Sequence, residues 1–298
     1  MKIAHLILAH KDPEHIKRLA KVLSQFSDVF IHIDLRVDES VFRTGLEHYP
    51  NVFFTEKRIK CYWGGWSLVE ATMLLLQKAL KNNYDRYVLL QGLDYILKSP
   101  TQIIEFFSQN SMIEFIRGCN ISESKDKYFT QKCRQFWFFD NMNVLYRIYN
   151  KLNTILRINL RNGRIPDDKN YDVFYGSAQW ALTNSCAKYI VEFHDHHPRF
   201  NRWFKYSLCP DELYFQTIVL NSDYRLKTKA GGSEKEIRGL VNWRNLHYFE
   251  YPKQIRILTS SDFEFLKGRN ELYIRKVTSS ESGELLNRLD DSHNNNKR

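Results

Sequence analysis

With 298 residues, 43% apolar and 26% charged, the chain can bury one large α/β core or two small ones, and its composition excludes a collagen-like, fibrous or wholly disordered protein. No run of about eighteen apolar residues occurs, and the first ten positions, with Lys2, His5 and His10, read as a strand and not as a signal peptide, so the chain is expected in the cytoplasm. A formal net charge of +10 admits a polyanionic partner: nucleic acid, an anionic lipid headgroup or a small phosphorylated ligand.

Ile3-Ala4-His5-Leu6-Ile7-Leu8-Ala9-His10 predicts a strand, closed by Lys11-Asp12-Pro13 and followed by a helix carrying Ile16, Leu19, Val22 and Leu23. Val29–Ile33, ending at Asp34, and Val52–Phe54 predict two more strands. Ser67 and Glu70 have capping-box spacing, so a helix is expected just after the Trp63-Gly64-Gly65-Trp66 loop. Tyr87–Leu90 predicts the next strand, with Gln91-Gly92-Leu93-Asp94 at its carboxyl end. Strand and helix alternate, as in a doubly wound sheet, and such sheets bind ligands at the carboxyl ends of their strands. Asp34, the Trp63 loop and Asp94 are therefore expected to line one crevice.

Residues 122–170 are basic, aromatic and polar, with one helix expected around Asn143 to Leu156, and read as a mobile excursion on the substrate side. Tyr175–Leu182 returns to order, a helix is expected near Ser185 to Phe193, and Cys209-Pro210-Asp211-Glu212 opens another carrying Leu213, Phe215 and Ile218. Residues 227–240, with Gly231-Gly232-Ser233, predict an exposed loop. The tail 279–298 has too little to bury and is expected to be disordered, leaving a single domain over 1–278.

The chemistry can be narrowed by what is missing. The five cysteines are scattered without a C-x-x-C pair, which predicts reduced, mostly buried thiols and neither a disulfide framework nor a zinc site. G-x-S-x-G, G-x-G-x-x-G and the P-loop pattern do not occur. His194-Asp195-His196-His197 cannot easily converge on one ion, because adjacent residues point apart. There is no Asp-x-Asp pair to carry a divalent metal with a nucleotide diphosphate. Fixed cations can stabilise a leaving diphosphate instead. The segment 250–277 supplies Lys253, Arg256, Arg275 and Lys276, which otherwise read as a solvated basic face.

Ile7-Leu8-Ala9-His10, Phe30-Ile31-His32-Ile33-Asp34, Trp63-Gly64-Gly65-Trp66-Ser67, Gln91-Gly92-Leu93-Asp94-Tyr95, Gly176-Ser177-Ala178, Pro210-Asp211-Glu212 and Tyr273-Ile274-Arg275-Lys276 follow one another in a familiar order. Over roughly residues 3 to 277 the chain resembles a bacterial member of the core-2/I-branching enzyme family, glycosyltransferase family 14, which includes β-1,6-N-acetylglucosaminyltransferases and peptide xylosyltransferases. The resemblance implies an α/β fold of GT-A type, a Rossmann-like mixed sheet flanked by helices. It implies inverting transfer from a UDP-sugar with no metal or other cofactor. By the same resemblance Glu212 is the catalytic base, and Lys276 with Lys253 or Arg256 contacts the diphosphate. Asp34 and Trp63 would meet the uridine, with His10 and Arg275 counted among the UDP-binding residues, and Trp243 would lie beside the acceptor sugar. Ile96 departs from the family, where proline usually follows the aspartate-aromatic pair.

Asp94, Trp66, Ser177, Gln179, Asp211 and Arg134 are further candidates for donor or acceptor sugar. Asp94 either orders its own loop or touches a sugar, Trp63 and Trp66 either pack or bind, and Lys132 and Arg134 either grip an acidic acceptor or sit in a solvated loop. At the start of a helix, Glu212 would gain from the helix dipole, while partial burial would raise its pKa. The implied reaction moves a sugar, N-acetylglucosamine first, to a hydroxyl of a bacterial glycan or lipid-linked oligosaccharide, and peripheral contact with the anionic inner leaflet would suit the basic surface. Xylosyl or other UDP-sugar transfer to a non-lipid acceptor, or a carbohydrate-binding protein without turnover, are the alternatives. Nucleic-acid binding lacks any accompanying motif.

Overall fold

A strand that is apolar on both sides must be covered on both sides. The computed structural model, which describes residues 1–141, 143–166, 170–228, 231–233, 246–251 and 254–295, meets that demand with helices on either face of a mixed sheet. In chain order the first half contains β1 (Ile3–Ala9), α1 (Pro13–Leu23), β2 (Asp28–Ile33), α2 (Ser40–Arg43), β3 (Val52–Phe54), α3 (Ser67–Ala79), β4 (Arg86–Gln91), β5 (Asp94–Ile96) and α4 (Pro100–Gln109). Next come β6 (Gly118–Asn120), α5 (Lys127–Arg134), α6 (Val144–Leu156), β7 (Phe174–Gly176), β8 (Ala181–Thr183), α7 (Asn184–His196), α8 (Pro198–Lys205), a 3-10 turn at Pro210–Glu212 and α9 (Tyr214–Leu220). The last part has β9 (Gly231–Ser233), β10 (His247–Tyr248), α10 (Phe263–Lys267), β11 (Tyr273–Arg275) and α11 (Gly283–Asn295).

The central sheet has the order β3-β2-β1-β4-β8, parallel except for the antiparallel edge strand β8. This is the Rossmann-like mixed sheet that the family resemblance implies, built on the alternation of strand and helix expected of a doubly wound sheet. One face is covered by apolar residues of α3, α7 and α9, the other by those of α1, α4 and α11. Two smaller sheets, β10-β11-β5 and β7-β6-β9, extend the structure beside the carboxyl ends of the parallel strands. Buried His5 ties the chain's two ends together: Nδ1 lies 2.8 Å from Ser27 Oγ and Nε2 2.9 Å from the Tyr273 hydroxyl, and burial lowers its pKa to about 3.

Several expectations are corrected. The tail from residue 279 is not disordered as far as it is described, because α11 carries Leu285, Leu286 and Leu289 at helical spacing and buries all three against the sheet. Its Asp290 pairs with Arg18 at 2.6 Å and accepts from the Tyr95 hydroxyl at 2.8 Å. The excursion 122–170 is packed down through Phe129, Cys133, Trp137 and Ile165, and α5 within it had no clear periodicity to announce it. Of the loop expected over 227–240, residues 231–233 form a strand paired with β6, and 229, 230 and 234–240 lie outside the described residues. Among the five cysteines all are free and four are buried, as predicted.

If α11 is part of the core, Leu286→Ala should lower unfolding free energy by about 2–5 kcal/mol in a denaturant titration. An unchanged midpoint would mean that the helix does not dock.

Candidate functional site

The first cluster sits where β1, β2 and β4 end. His10 is exposed just after β1, and Asp34, at the end of β2, is anchored to the strand beside it by its own N–H, which donates to the Ala9 carbonyl at 2.9 Å. The buried Asp34 carboxylate accepts from Arg36 Nη2 at 2.5 Å and from the Cys61 N–H at 3.3 Å. Burial would raise its pKa, but the Arg36 hydrogen bonds hold it below the usual range. Arg36 also donates to the Cys61 carbonyl and lies over the Tyr62 ring, so the loop before the paired tryptophans is fastened to Asp34.

β11 brings the late cations to the same end. It pairs with β5 so that Arg275 faces Asp94, and Arg275 Nη1 donates to Asp94 Oδ1 at 2.6 Å while Nη2 donates to Gln91 Oε1 at 2.5 Å. Asp94 is fully buried. Burial alone would raise its carboxyl, yet Arg275 and His247, whose Nε2 is 3.2 Å away, bring it down to about 2. Asp94 is therefore a structural anion that locks β11 in place, with no free face for a sugar, and Arg275 is already committed to it. Ser279 donates through N–H and hydroxyl to Asp12, the cap of α1, at 2.8 and 2.6 Å, which holds the residues after β11 beside Lys11. Lys276 consequently lies among cations: burial first, then Arg275 and Lys11, lower its pKa, and His10 is lowered by burial, Lys11, Arg36 and Arg275 against the pull of Asp34. Repulsion of this kind is relieved when an anion binds.

Arg256 does not join this group. Its guanidinium donates to Glu250 at 2.7 Å and to both oxygens of Asp262 at 2.8 and 2.9 Å, so two carboxylates already balance its charge. The expected alternative to Lys253 at a diphosphate is thus a staple within the segment. Lys253 and Trp243 lie outside the described residues.

The second cluster surrounds Glu212. The helix expected from Cys209 begins only at Tyr214: Leu213, at φ −122°, separates it from the 3-10 turn that holds Glu212. What faces the carboxylate is an ammonium and not a helix end. Lys132 Nζ, on α5, lies 3.2 Å from Glu212 Oε2 and only 2% of its side chain is exposed. It also sits over the rings of Tyr175 and Tyr128 at 4.5 and 5.1 Å, and those two hydroxyls meet at 2.7 Å. Burial would lower the Lys132 pKa, but Glu212 raises it above the ordinary ammonium value. Asp211, next to Glu212, is pushed well above the carboxylate range by burial and then by Glu212. A carboxyl raised in this way suits a retained proton beside the half-exposed Glu212.

The tryptophan loop joins the two clusters. Gly64, at φ +76°, gives its carbonyl to the Cys209 N–H at 3.1 Å. Ser67 is already inside α3 and not its cap: its Oγ accepts from the Tyr62 N–H at 2.9 Å, and the predicted capping box does not form. Asp140, from the excursion, caps α3 instead, accepting from the Trp66 N–H at 2.7 Å and the Ser67 N–H at 3.2 Å. A Cβ on Gly65 would stand 2.2 Å from Asp140 Oδ1, so any side chain there would displace the carboxylate that caps α3. Trp63 is 77% exposed with its edge toward Phe139, whereas Trp66 is 5% exposed, set edge-on to Tyr214, and belongs to the core. Trp66 is therefore corrected from sugar contact to packing.

The remaining candidates fall close by. Ser177 donates to Gln179 at 2.6 Å, and its carbonyl accepts from Gln216 at the same distance. Arg134, at the end of α5, remains half-exposed, as an acceptor contact would require. The histidine cluster disperses as expected: His194 meets Tyr214, while His196 and His197 bond to carbonyls one turn back. Among the described residues no group of three or more His, Cys, Asp or Glu is placed to hold a metal ion.

Comparison with known proteins sets this geometry in context. The model of the Core-2/I-Branching enzyme matches residues 3–267. The chain belongs to the core-2/I-branching enzyme family. Within that family, it is 22% identical to a xylosyltransferase of Ciona intestinalis and 24% identical to xylosyltransferase 2 of Rattus norvegicus, in each case over 97% of this chain but only 34% and 33% of those proteins. It is 25% identical to beta-1,3-galactosyl-O-glycosyl-glycoprotein beta-1,6-N-acetylglucosaminyltransferase 4 of Mus musculus, over 84% of this chain and 54% of that protein. The chain thus spans about a third of the xylosyltransferases and about half of the latter relative.

Asp140 and Arg161 are the site-shaping residues that sequence reasoning missed. Arg161 donates to the carbonyls of Trp203 and Tyr206 and to Ser207 Oγ, at 2.8, 3.2 and 3.1 Å, pinning the excursion to the end of α8, and its burial lowers its pKa to about 10. For Asp140 the test is a cap measurement: Asp140→Ala should cost about 0.5–2 kcal/mol and alter the fluorescence of the Trp63 loop. A variant as stable as wild type, with an unchanged spectrum, would remove that role.

Proposed function

We propose that this member of the core-2/I-branching enzyme family is an inverting glycosyltransferase that moves a sugar from a UDP-sugar to a hydroxyl of a glycan or lipid-linked oligosaccharide without a metal ion. The single observation that carries the proposal is the surplus of positive charge where the parallel strands end. Lys276 and His10 are both lowered, by burial first and then by the cations around them, and the second of these is what a diphosphate would relieve. Lys276, with Lys11 beside it and Lys253 as a further candidate, would bind the diphosphate and stabilise it as it leaves. Exposed Trp63 and the Asp34–Arg36 pair would frame the uridine.

Glu212 is the proposed base. A sugar hydroxyl is a weak nucleophile near neutrality and must lose its proton as the bond to the anomeric carbon forms. Lys132 fixes the carboxylate at one oxygen, Oε2, and the half-exposed side chain leaves the other for the acceptor. Attack opposite the diphosphate inverts the anomeric centre, and Ser177, Gln179 and Arg134 are the proposed sugar contacts. N-acetylglucosamine is the first donor to test. Xylose is the second reading, favoured by the xylosyltransferases to which 97% of the chain is similar.

Release of UDP from UDP-N-acetylglucosamine and UDP-xylose, followed in EDTA, checks both parts. Glu212→Gln should retain UDP binding while turnover falls by about 10² to 10⁴, and Lys276→Ala should cost about 10² to 10³ in rate. Complete loss in chelator would contradict the role of the cations, and full turnover by Glu212→Gln would remove it as base.

A further inference from the structure

Helix α6 is built inside out. Its inward side is polar and aromatic: Asn150 Oδ1 accepts from the Phe138 N–H at 3.1 Å, the buried Asn153 donates to the Phe136 carbonyl at 3.0 Å, and Tyr146 and Tyr149 pack on Phe138. Its outward side carries Val144, Leu145, Ile148, Leu152, Ile155 and Leu156, all exposed, with Leu145 at 73% and Ile155 at 68%. Positions 145, 148, 152 and 155 follow helical spacing, so the stripe is continuous along three turns. Exposed Ile158 and Leu160 prolong it beyond the helix end. An apolar face of this length facing water is uncommon in a soluble protein and marks a contact surface.

Charge selects the partner. Between Asp140 and Asp167 the sequence contains no Asp or Glu, while Arg147, Lys151, Arg157 and Arg164 are all exposed. Arg147 and Lys151 stand one turn apart along the edge of the stripe. A second copy of the chain on this face would set one group of cations against another, whereas a surface that is apolar within and anionic at its boundary complements both features. We propose that residues 144–160 form a membrane-docking surface, α6 lying in the interface plane of a bilayer rich in anionic phospholipid, its leucines and isoleucines among the acyl chains and its cations at the headgroups.

The placement has a consequence for the site. The same excursion carries Lys132 to Glu212 and Asp140 to α3, so docking through α6 would hold at that surface the segment that meets the proposed base. That consequence rests on the proposed function, but the docking itself does not.

Vesicle sedimentation with the full chain tests it without any turnover. The protein should pellet with mixed phosphatidylcholine–phosphatidylglycerol vesicles, much less with pure phosphatidylcholine, and less as salt rises. Ile148→Glu with Leu152→Glu should weaken binding about tenfold or more, and so should Arg147→Glu with Lys151→Glu. Near-ultraviolet circular dichroism and Tm should stay unchanged for both variants, since all four side chains are exposed. Failure of the folded wild type to bind mixed vesicles would overturn the proposal, as would undiminished binding by the folded variants. A concentration-dependent dimer that the Ile148→Glu, Leu152→Glu variant dissolves, without vesicle binding by either, would assign the face to a second copy and equally overturn it.

Discussion

Lys132 leaves water almost completely, and among the described residues its ammonium forms an ion pair with Glu212. Desolvating a charge is costly unless an opposite charge and well-placed neighbours compensate, and Glu212 with the Tyr128 and Tyr175 rings supplies that compensation. Much of the candidate site follows from this pair. To reach Glu212, α5 must lie against the turn at Pro210–Glu212, and that draws the excursion onto the sheet. With the excursion in place, Asp140 caps α3, the glycine loop closes on Asp140 and Cys209, and Trp63 is left facing outward.

A second buried pair does comparable work at the end of β4. Asp94 and Arg275 are 181 residues apart, yet the register of β5 with β11 sets them opposite each other. With Arg275 held there, Lys276 is carried to the ends of the parallel strands, partly buried beside Arg275 and Lys11. The division of labour is chemical: Arg36 and Arg275 meet carboxylates and hold the loop and strand in place, and Lys11 and Lys276, without such partners among the described residues, give this end of the sheet its sign. A positive net charge by itself would not separate these two groups.

What could be read from the sequence was local. Buried strands announce themselves as apolar runs, so β1, β2, β3 and β4 were legible, as was Asp34 at the end of β2, whereas Pro210-Asp211-Glu212 read as the first turn of a helix that begins only at Tyr214. Lys132 and Asp140 were not legible as partners, because one polar residue in an aperiodic segment gives no sign that its counterpart lies 80 or 74 positions away. Trp66 and Trp63 look equivalent in sequence, but Trp66 stands at the start of α3 with its ring in the core and Trp63 lies before the Gly64 turn with its ring outward. The tail misled for a different reason: three leucines in a polar stretch seem too few to fold alone, but they suffice when a sheet face is waiting for them. Family resemblance fixed attention on the C-terminal cations, and the pairing of Arg256 with Glu250 and Asp262 then separated a structural arginine from the proposed ligands.

The mutual dependence of Lys132 and Glu212 is open to a double-mutant cycle read by equilibrium unfolding. Glu212→Gln should destabilise the fold by about 1–3 kcal/mol, discounted for the partial exposure of Glu212, because it leaves an ammonium buried without its counter-charge. Adding Lys132→Met should restore most of that loss. Additive costs in the double variant would show that the two side chains do not support each other, and the account of how the excursion is held over the site would fall with them.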